Sequence, residues 1–582
     1  MSALADLRAL VEQPDTATPE GRLISTYRSA CLAAPIDLSA REEVRQELAQ
    51  IEAIRSLEDL VRQMVAQRLI GSGTFFRVGL EIDPVDASRY GLSIDQGGVE
   101  LPDVDSYADP SSPLMKDYRE HADNLSRIVK GSAIDVDAAL RVETALAAAA
   151  LSADERRDPV GLYHPLSAAE IAAQAPAFPW GVLWQGLGLL SSGKINVRVP
   201  GHLAAIERLF SATPLSDLKA YMAWQLIQDQ SPRLDQDVLN ADFAFWSRFS
   251  GQVVPPSREW TCFTSTLDWF DQAIAQQYMA RSYDETRSAE TSALAQELSV
   301  AFQGRLEKAA WLDDATRAEA LAKLSKLSFR VGHPDHWSTL EGLDLRGSYL
   351  AQGSAFRRFF IAKEQSLQRV DRAEWNVSVL DVNAYYSARG NSVTIPGIFL
   401  APPFFVPGAS RAAQLGALGS VVGHELTHAF DAVGRDFDGD GNLRDWWSLA
   451  AAERFRARAE CVVDEFNALE YLPGKTVNGA LTLGENLADL GGLQLALDVL
   501  QRAPTGQAGD GFNEAQIFFL SYAQAACENV RPELLESLAH SDGHAPSKLR
   551  VNGSLQNIPA FAEAFQCASS SPMVAHPRCE VW

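Results

Sequence analysis

The residues best suited to chemistry in this sequence are two histidines and a glutamate in the run His424-Glu425-Leu426-Thr427-His428. Residues four apart share one face of a helix, so His424 and His428 would present two imidazoles to one point, as a tetrahedral zinc ion requires. Glu425 follows the first histidine and could reach a water at that point without binding the metal. The spacing predicts zinc-assisted hydrolysis of an amide bond, and a buried pair of structural histidines is the alternative.

A third zinc ligand must come from further along the chain. One class of site places a histidine six residues after the second, but Gly434 stands there, and the shortest glutamate spacings fall on Trp447 and Ser448. Glu485 is the next candidate, and Asp489 shares its face on a predicted helix. One carboxylate could bind zinc while the other accepts a hydrogen bond from a ligating imidazole. Alone, this pair could be two solvated acids; beside the histidine helix, it indicates a metal site.

Hydrophobic periodicity predicts the elements that must position these side chains. A helix over about 411–433 carries the histidines, and another over 482–500 carries the carboxylates. The first half of the chain has the spacing of successive helices, for example over 41–67. Two segments rich in β-branched and aromatic residues, over 377–387 and 392–400, predict a hairpin or two neighbouring strands.

Length and charge restrict the class of protein. A chain of 582 residues with 46% hydrophobic content predicts at least two large lobes. The net charge of -24 argues against nucleic acid and anionic lipid as partners. No apolar run reaches transmembrane length, and residues 1–6 lack the features of a signal peptide. We therefore expect no transmembrane segment, and either a cytoplasmic protein or a chain whose targeting segment has been removed.

Six cysteines are present, and none of them forms a CxxC pair, which argues against a cysteine zinc site. They could form disulfides in an oxidising compartment or remain free thiols. They are Cys31, Cys262, Cys461, Cys527, Cys567 and Cys579.

An acidic run over 436–441 imitates the start of a calcium-binding loop. The bidentate glutamate that such a loop needs at its twelfth position is missing, because Trp447 stands there. We therefore predict a polar turn at this run.

Several longer runs accompany the histidine pattern. They are Val422 to Asp431, Gly434 to Phe437, Asp445 to Trp447, Leu483 to Asp489 with Gly491-Gly492, Val382 to Tyr386, Pro402 to Phe405, Asp542 to Pro546, Arg550 to Gly553 and the final Cys579 to Trp582. Together they resemble the neprilysin and endothelin-converting-enzyme family of zinc endopeptidases and its bacterial relatives. Weaker similarity covers the first half of the chain.

The resemblance implies a mainly α (α+β) fold with two lobes. It implies a thermolysin-like catalytic lobe with a small sheet and an all-helical lid lobe, which together enclose a central cavity that admits peptides. We expect an N-terminal segment over 1–45 packed on the catalytic lobe, the lid over 46–347 and the catalytic domain over 348–582.

The resemblance also implies roles for individual residues. One Zn²⁺ would be held by His424, His428 and Glu485, with Asp489 behind the ligands and Glu425 as general base. His544 would donate to the developing oxyanion and Asp542 would hold its imidazole. The expected substrate contacts are Asn383 and Ala384 on an edge strand, Arg550 to a carbonyl, and an apolar pocket of Phe399, Phe404, Val421, Ala525 and Ala526.

The pocket implies cleavage on the amino side of hydrophobic residues. Ala525 and Ala526 stand where bulkier residues are common in the family and Phe399 where a smaller one is common, so we expect a reshaped pocket. An inactive peptide-binding scaffold on the same fold is the alternative function, and an aminopeptidase is a second enzymatic one.

The family's disulfides would pair Cys31 with Cys527 and Cys461 with Cys579. Cys262 and Cys567 would then be free or joined to each other. Cysteines at disulfide positions favour an extracytoplasmic location, periplasmic or secreted, over a cytoplasmic one.

Overall fold

Helices make up most of the molecule, as predicted. A computed structural model of the chain describes residues 3–188, 193–367, 369–504 and 511–582. In chain order its α-helices are α1 (Ala3–Glu12), α2 (Pro19–Ala33), α3 (Ser39–Ala53), α4 (Leu57–Leu69), α5 (Pro113–Lys130), α6 (Val136–Ala147), α7 (Ala168–Gln174), α8 (Trp180–Leu187), α9 (Pro200–Ala212), α10 (Leu215–Gln230), α11 (Gln236–Ser250), α12 (Arg258–Trp269), α13 (Asp271–Ser282), α14 (Glu285–Lys308), α15 (Asp314–Lys326), α16 (Tyr349–Gln365), α17 (Arg411–Gln414), α18 (Ser420–Thr427), α19 (Leu449–Asn467), α20 (Leu483–Arg502), α21 (Glu514–Ala525), α22 (Pro532–Ser541), α23 (Ser547–Leu555) and α24 (Pro559–Ala564).

The strands are short. They are β1 (Phe76–Asp83), β2 (Asp86–Gln96), β3 (Pro165–Leu166), β4 (Ile195–Val197), β5 (Ser328–Gly332), β6 (Tyr385–Ser387), β7 (Ser392–Pro396), β8 (Glu470–Leu472) and β9 (Lys475–Thr476).

The lid lobe has its own hydrophobic core, built by α3 to α11. The expectation of an all-helical lid is wrong, because a sheet of order β1-β2-β4-β3 lies in this lobe. Its strands escaped the sequence pattern because β1 and β2 are largely half-buried and carry charged residues. The predicted helix over 41–67 is also two helices, since Ser56 caps the start of α4 through the amide of Asp59.

The catalytic lobe packs α14, α15 and α17 to α24 around a second core with a sheet of order β5-β7-β6. Of the two predicted arrangements, the hairpin is the one present: β6 pairs antiparallel with the fully buried β7, and β6 forms the edge. Elements α14, α15 and β5 belong to the segment 46–347 that we expected to form the lid, yet they pack in the catalytic core.

The N-terminal helices α1 and α2 pack with α12, α13 and α16 in a third core. Because α2 lies along α12, Cys31 forms a disulfide with Cys262, and the expected pairing of Cys31 with Cys527 is wrong. Cys262 is therefore neither free nor joined to Cys567. The expected disulfide between Cys461 and Cys579 is present, while Cys527 and Cys567 are free thiols.

The tip of the β1–β2 hairpin joins the lid lobe to the catalytic lobe. Arg389 donates to the carbonyl of Ile82 at 2.5 Å, and the amide of Leu443 donates to the carbonyl of Pro84 at 2.6 Å. Leu443 is the second residue after the calcium-like run. The carboxylate of Asp438 in that run accepts the amides of Asp440 and Asn442, which forms the turn that receives the hairpin.

In the part of the chain that the structure describes, no helix combines the length and apolar character needed to cross a membrane.

Candidate active site

The two histidines lie where α18 ends in a short 3-10 turn over His428–Phe430. The helix is preceded by a π-helical turn over Leu415–Gly419, so the predicted helix over 411–433 is irregular and ends before residue 431. Such π turns are frequent at functional sites because they change which face of a helix points inward. All residues of the turn are buried.

The histidine helix and the carboxylate helix approach closely because glycines lie at their crossing. A β-carbon on Gly423 of α18 would lie 2.8 Å from the carbonyl oxygen of Gly492 on α20. A β-carbon on Gly492 would lie 2.4 Å from the backbone nitrogen of His424. Larger side chains would separate the helices and move the α20 carboxylates away from the histidines.

Three ligand atoms converge at this crossing. The Nε2 atoms of His424 and His428 lie 2.9 Å apart, and the Oε2 atom of Glu485 lies 3.2 and 3.4 Å from them. Zinc with bonds of 2.0–2.1 Å separates its tetrahedral ligands by about 3.3 Å. Glu485 Oε2 is buried and has no hydrogen-bond partner of ordinary geometry. The donor set, its spacing and this unpartnered oxygen fit a bound zinc ion.

Each imidazole is oriented by a carboxylate on its other nitrogen. Asp489 Oδ1 lies 2.8 Å from Nδ1 of His424, and Asp431 Oδ2 lies 2.7 Å from Nδ1 of His428. A carboxylate accepts hydrogen bonds, so both rings carry their proton on Nδ1 and direct the Nε2 lone pairs to the shared point. Asp431 is not among the site residues that the sequence predicts. Its position three residues after His428, on the same helical face, was the available signal.

The pKa shifts at this site arise from its charge pairs. Burial favours neutral carboxyls, yet the surrounding histidines hold the pKa of Glu485 well below its usual range. Burial opposes charging of the imidazoles as well, but the pKa values of His424 and His428 are raised by Asp489, Asp431 and Glu485. Protons and a metal ion therefore compete for the same Nε2 atoms, because ligands must be deprotonated to bind metal.

Glu425 lies beside the ligands without joining them. One of its carboxylate oxygens is 4.0 Å from His424 Nε2, and the side chain is buried. Burial raises its pKa above the ordinary value for glutamate. A carboxylate with a raised pKa is suited to accept and return a proton near neutral pH.

His544 approaches the same point from the turn before α23. Its Nε2 atom lies 3.1 Å from Glu485 Oε2, and its Nδ1 atom lies 2.7 Å from Asp542 Oδ1. Burial disfavours the imidazolium, but the carboxylates of Asp542 and Glu485 outweigh it and raise the pKa of His544 to about 9. The ring can therefore donate a hydrogen bond from Nε2.

Arg550 on α23 forms a two-pronged ion pair with Asp489. Its Nε and Nη2 atoms each donate at 2.7 Å to the two carboxylate oxygens. Burial favours the neutral acid, yet Arg550 and His424 hold the pKa of Asp489 below its usual range. The side chain of Arg550 also lines the cavity, and its Nη1 atom is not used in this pair.

A cavity of about 610 Å³ lies over the converging atoms. The five expected pocket residues line it: Phe399, Phe404, Val421, Ala525 and Ala526. Phe399 and Phe404 stack with ring centroids 4.0 Å apart. The free thiol of Cys527, at the end of α21, also lines this wall and lies far along the chain from the Cys31–Cys262 disulfide.

Asn383 and Ala384 line the cavity just before the edge strand β6 rather than within it. Asn383 is exposed, and its side-chain oxygen accepts the amide of Ala384. The structure thus gathers every sequence-predicted site residue at one cavity, except that Asp542 is reached through His544. It adds Arg157 from the lid lobe, for which the sequence offered no signal.

The chain is similar to proteins of known family. The sequence models described as peptidase family M13 match residues 2–334 and 383–581. Endothelin-converting enzyme 1 of Bos taurus is 31% identical over 536 residues, which cover 87% of this chain and 71% of that protein.

Solved structures of one bacterial protein are similar over the whole chain. The Mycobacterium tuberculosis zinc metalloprotease Zmp1 in complex with an inhibitor has a TM-score of 0.91 at 27% identity, covering 100% of this chain and 92% of that chain. Zmp1 in an open state has a TM-score of 0.71 at 28% identity, covering 100% and 94%.

Proposed function

The chain belongs to peptidase family M13 and is a metalloendopeptidase, and from this premise we propose that it uses one zinc ion to cleave peptides on the amino side of hydrophobic residues. The family expected from the sequence resemblance is thereby confirmed. The observation that carries the zinc proposal is the convergence of His424 Nε2, His428 Nε2 and Glu485 Oε2 within 2.9–3.4 Å. Three lone pairs directed at one buried point repel one another unless a cation lies between them.

In this proposal His424, His428 and Glu485 hold the metal. When bound, zinc would polarise the scissile carbonyl and lower the pKa of an adjacent water. Glu425 takes the proton of the attacking water and passes it to the leaving amine. His544 donates to the oxygen on which negative charge develops, a contribution of about 3–4 kcal/mol for one donor, and Asp542 holds its ring.

Substrate binding follows from the walls of the cavity. An extended peptide would add to the open edge of β6, with its backbone bound by Asn383 and Ala384. The remaining Nη1 donor of Arg550 would bind a substrate carbonyl. Phe399, Phe404, Val421 and the two alanines would form the apolar pocket for the residue after the cut.

Two further proposals concern substrate size and location. The relative Zmp1 has an open state and an inhibitor-bound form, and this chain is more similar to the latter. We propose that peptides enter between separated lobes and that folded proteins are excluded. The two disulfides support an oxidising, extracytoplasmic compartment.

The test is mass-spectrometric mapping of cut sites in a pool of peptides blocked at both ends. We expect internal cuts before hydrophobic residues, loss of cleavage with a chelator and recovery with one equivalent of zinc. A dominant charged residue after the cut would overturn the pocket assignment. Cleavage restricted to unblocked N-termini would indicate an aminopeptidase, and zinc-loaded protein that binds peptides without cutting would indicate an inactive scaffold.

A further inference from the structure

Arg157 belongs to the lid lobe but lines the active-site cavity. The segment that carries it is tied to the lid sheet. Gln96 exchanges two hydrogen bonds with the backbone of Leu151, at 2.7 and 3.0 Å, and Arg156 donates to Asp95 at 2.9 Å. Arg156 thus anchors the segment to the lid, and the next residue reaches across to the catalytic lobe.

The guanidinium of Arg157 packs on the turn that carries His544. A β-carbon on Gly543 would lie 1.3 Å from Arg157 Nη2 and 2.2 Å from Cζ, so a larger residue between Asp542 and His544 would have to displace the guanidinium. A β-carbon on Gly484, the residue before Glu485, would lie 3.7 Å from Nη1. The side chain of Arg157 therefore lies against the glycine that precedes His544 and near the glycine that precedes Glu485.

The contact is one of packing rather than charge pairing. Among the described residues, the guanidinium of Arg157 makes no hydrogen bond or ion pair, in contrast to its neighbour Arg156. A buried structural role within the lid would give it a carboxylate or carbonyl partner there. Its position instead depends on how the two lobes meet.

The turn that Arg157 contacts is more exposed than the side chains around the converging ligand atoms. The side chains of His544 and Asp542 are 44% and 37% exposed, whereas those of Glu425 and Glu485 are 7% and 11% exposed. Exposed turns with few packing contacts open most easily. A ring that must donate at one point on the substrate needs this turn to be held.

We propose that Arg157 is a positioning residue supplied by the lid lobe, which holds the Asp542–His544 turn so that the active site is complete only where the lobes are in contact. This inference rests on the proposed function and adds the residue that links the position of the lid to the chemistry. Arg157 acts through His544, so its loss lowers turnover more than substrate affinity.

The first experiment compares Arg157→Ala with Arg141→Ala, a control on the lid surface whose partner is Asp217. We expect kcat to fall by about 10–100-fold for Arg157→Ala, with KM within about twofold and zinc content unchanged. The control should match the wild type. An increase in KM with unchanged kcat would overturn the positioning role and identify Arg157 as a direct substrate contact.

The second experiment is a double-mutant cycle with Gly543→Ala. The added methyl group should displace the guanidinium from the turn and lower kcat in otherwise wild-type protein, but should lower kcat little further once Arg157→Ala has removed the guanidinium. If the fold-losses of kcat in the two single variants simply multiply in the double variant, the two residues do not interact, and the proposal is overturned.

A third measurement separates this inference from the proposed function. Amide exchange of the peptide covering 541–547 should accelerate in Arg157→Ala, with an unchanged melting temperature as the check on folding. If the wild type cleaves no peptide, the proposed function fails while the exchange result still tests the contact. If the wild type cleaves and exchange is unchanged, the inference alone fails.

Discussion

Both lobes bury carboxyl groups, but the pKa of a buried acid is raised in the lid lobe and lowered beside the catalytic histidines. In the lid lobe, Glu143 accepts hydrogen bonds from Tyr107 at 2.5 Å, from Tyr118 at 3.0 Å and from the amide of Glu100 at 2.9 Å. These donors are neutral, and burial raises the pKa of Glu143 to about 7. In the catalytic lobe, Asp489 and Glu485 are buried as well, yet their pKa values are lowered.

The difference teaches that cationic partners, rather than burial, decide the charge of these acids. Asp489 faces Arg550 and His424, and Glu485 faces three imidazoles. Neutral hydroxyl and amide donors satisfy Glu143 without offsetting the cost of its charge. The lid network therefore maintains structure, whereas the catalytic lobe maintains charged groups that can bind metal and substrate.

Glu425 breaks the pattern within the catalytic lobe, because its pKa is raised as in the lid. We expect Glu425→Gln to lower kcat/KM by about 10²–10⁴-fold, the range for loss of a general base, with zinc content unchanged. A fluorogenic peptide assay and metal analysis of the same preparation measure both. Activity within a factor of ten of the wild type would contradict the assignment.

Asp489→Asn tests the charged carboxylates. It removes the counter-charge of Arg550 from a pair whose acid is buried and whose guanidinium is one quarter exposed, which should lower the unfolding free energy by about 3 kcal/mol, the lower end of the range for a buried pair. Zinc affinity should fall by about 10–100-fold, because His424 loses its oriented acceptor. Denaturant unfolding and zinc titration against a competing chelator give the two values.

The control for this change is Asp498→Asn, since Asp498 forms a similar two-pronged pair with Arg305, and the two arginines are almost equally exposed while Asp498 is 24% exposed against 7% for Asp489. This change should lower the unfolding free energy by about 1 kcal/mol, with unchanged zinc affinity. Equal losses of unfolding free energy at the two positions would show that burial of the acid does not matter.

Lys323 extends the comparison to a buried basic group, whose pKa burial lowers to about 7. Its Nζ atom donates at 2.7 Å to the carbonyls of Ala429, Gly434 and Phe437. These hydrogen bonds fix the segment that carries Asp431. Lys323→Met should lower the unfolding free energy by about 3 kcal/mol, because three buried carbonyls lose their donor. Lys326→Met, which breaks an exposed pair with Asp440, should cost less than about 1 kcal/mol in the same assay.

Glu143→Gln tests the lid. The unfolded chain ionises glutamate near pH 4.5, while the folded chain keeps Glu143 protonated to about pH 7. The unfolded state therefore binds fewer protons than the folded state in this range. The unfolding free energy of the wild type falls by up to about 3 kcal/mol as the pH rises from 4.5 to 7.

This loss should disappear in Glu143→Gln, because glutamine cannot ionise. Unfolding at pH 4.5 and 7.5 in both proteins isolates the effect, since the catalytic histidines titrate in both. If the unfolding free energy changes by the same amount between the two pH values in wild type and variant, the raised pKa of Glu143 is contradicted.

Much of the site could be predicted from the sequence because its key spacings are local. His424 and His428 share a face through helical geometry alone, and so do Glu485 and Asp489. Asp431 is equally local, but spacing does not predict its role, because that role depends on which imidazole nitrogen of His428 faces it. The buried hairpin strand β7 was predicted for the same reason, from its continuous β-branched sequence.

The lid sheet, the partner of Cys31 and the contact of Arg157 were not predictable in this way. Strands β1 and β2 carry no clear alternation, and Cys31 chooses Cys262 because α2 packs on α12. Arg157 lies 387 positions before His544, the difference of their numbers, and no local pattern joins them.

By itself, the sequence determined the chemical groups and the helices that carry them, because helical periodicity depends only on neighbours within one or two turns. Only the tertiary structure decided which helices cross at Gly423 and Gly492, which acids are charged, and which lid residue meets the catalytic turn. Those outcomes depend on the packing of surfaces that are distant in the chain, where no short spacing carries the information.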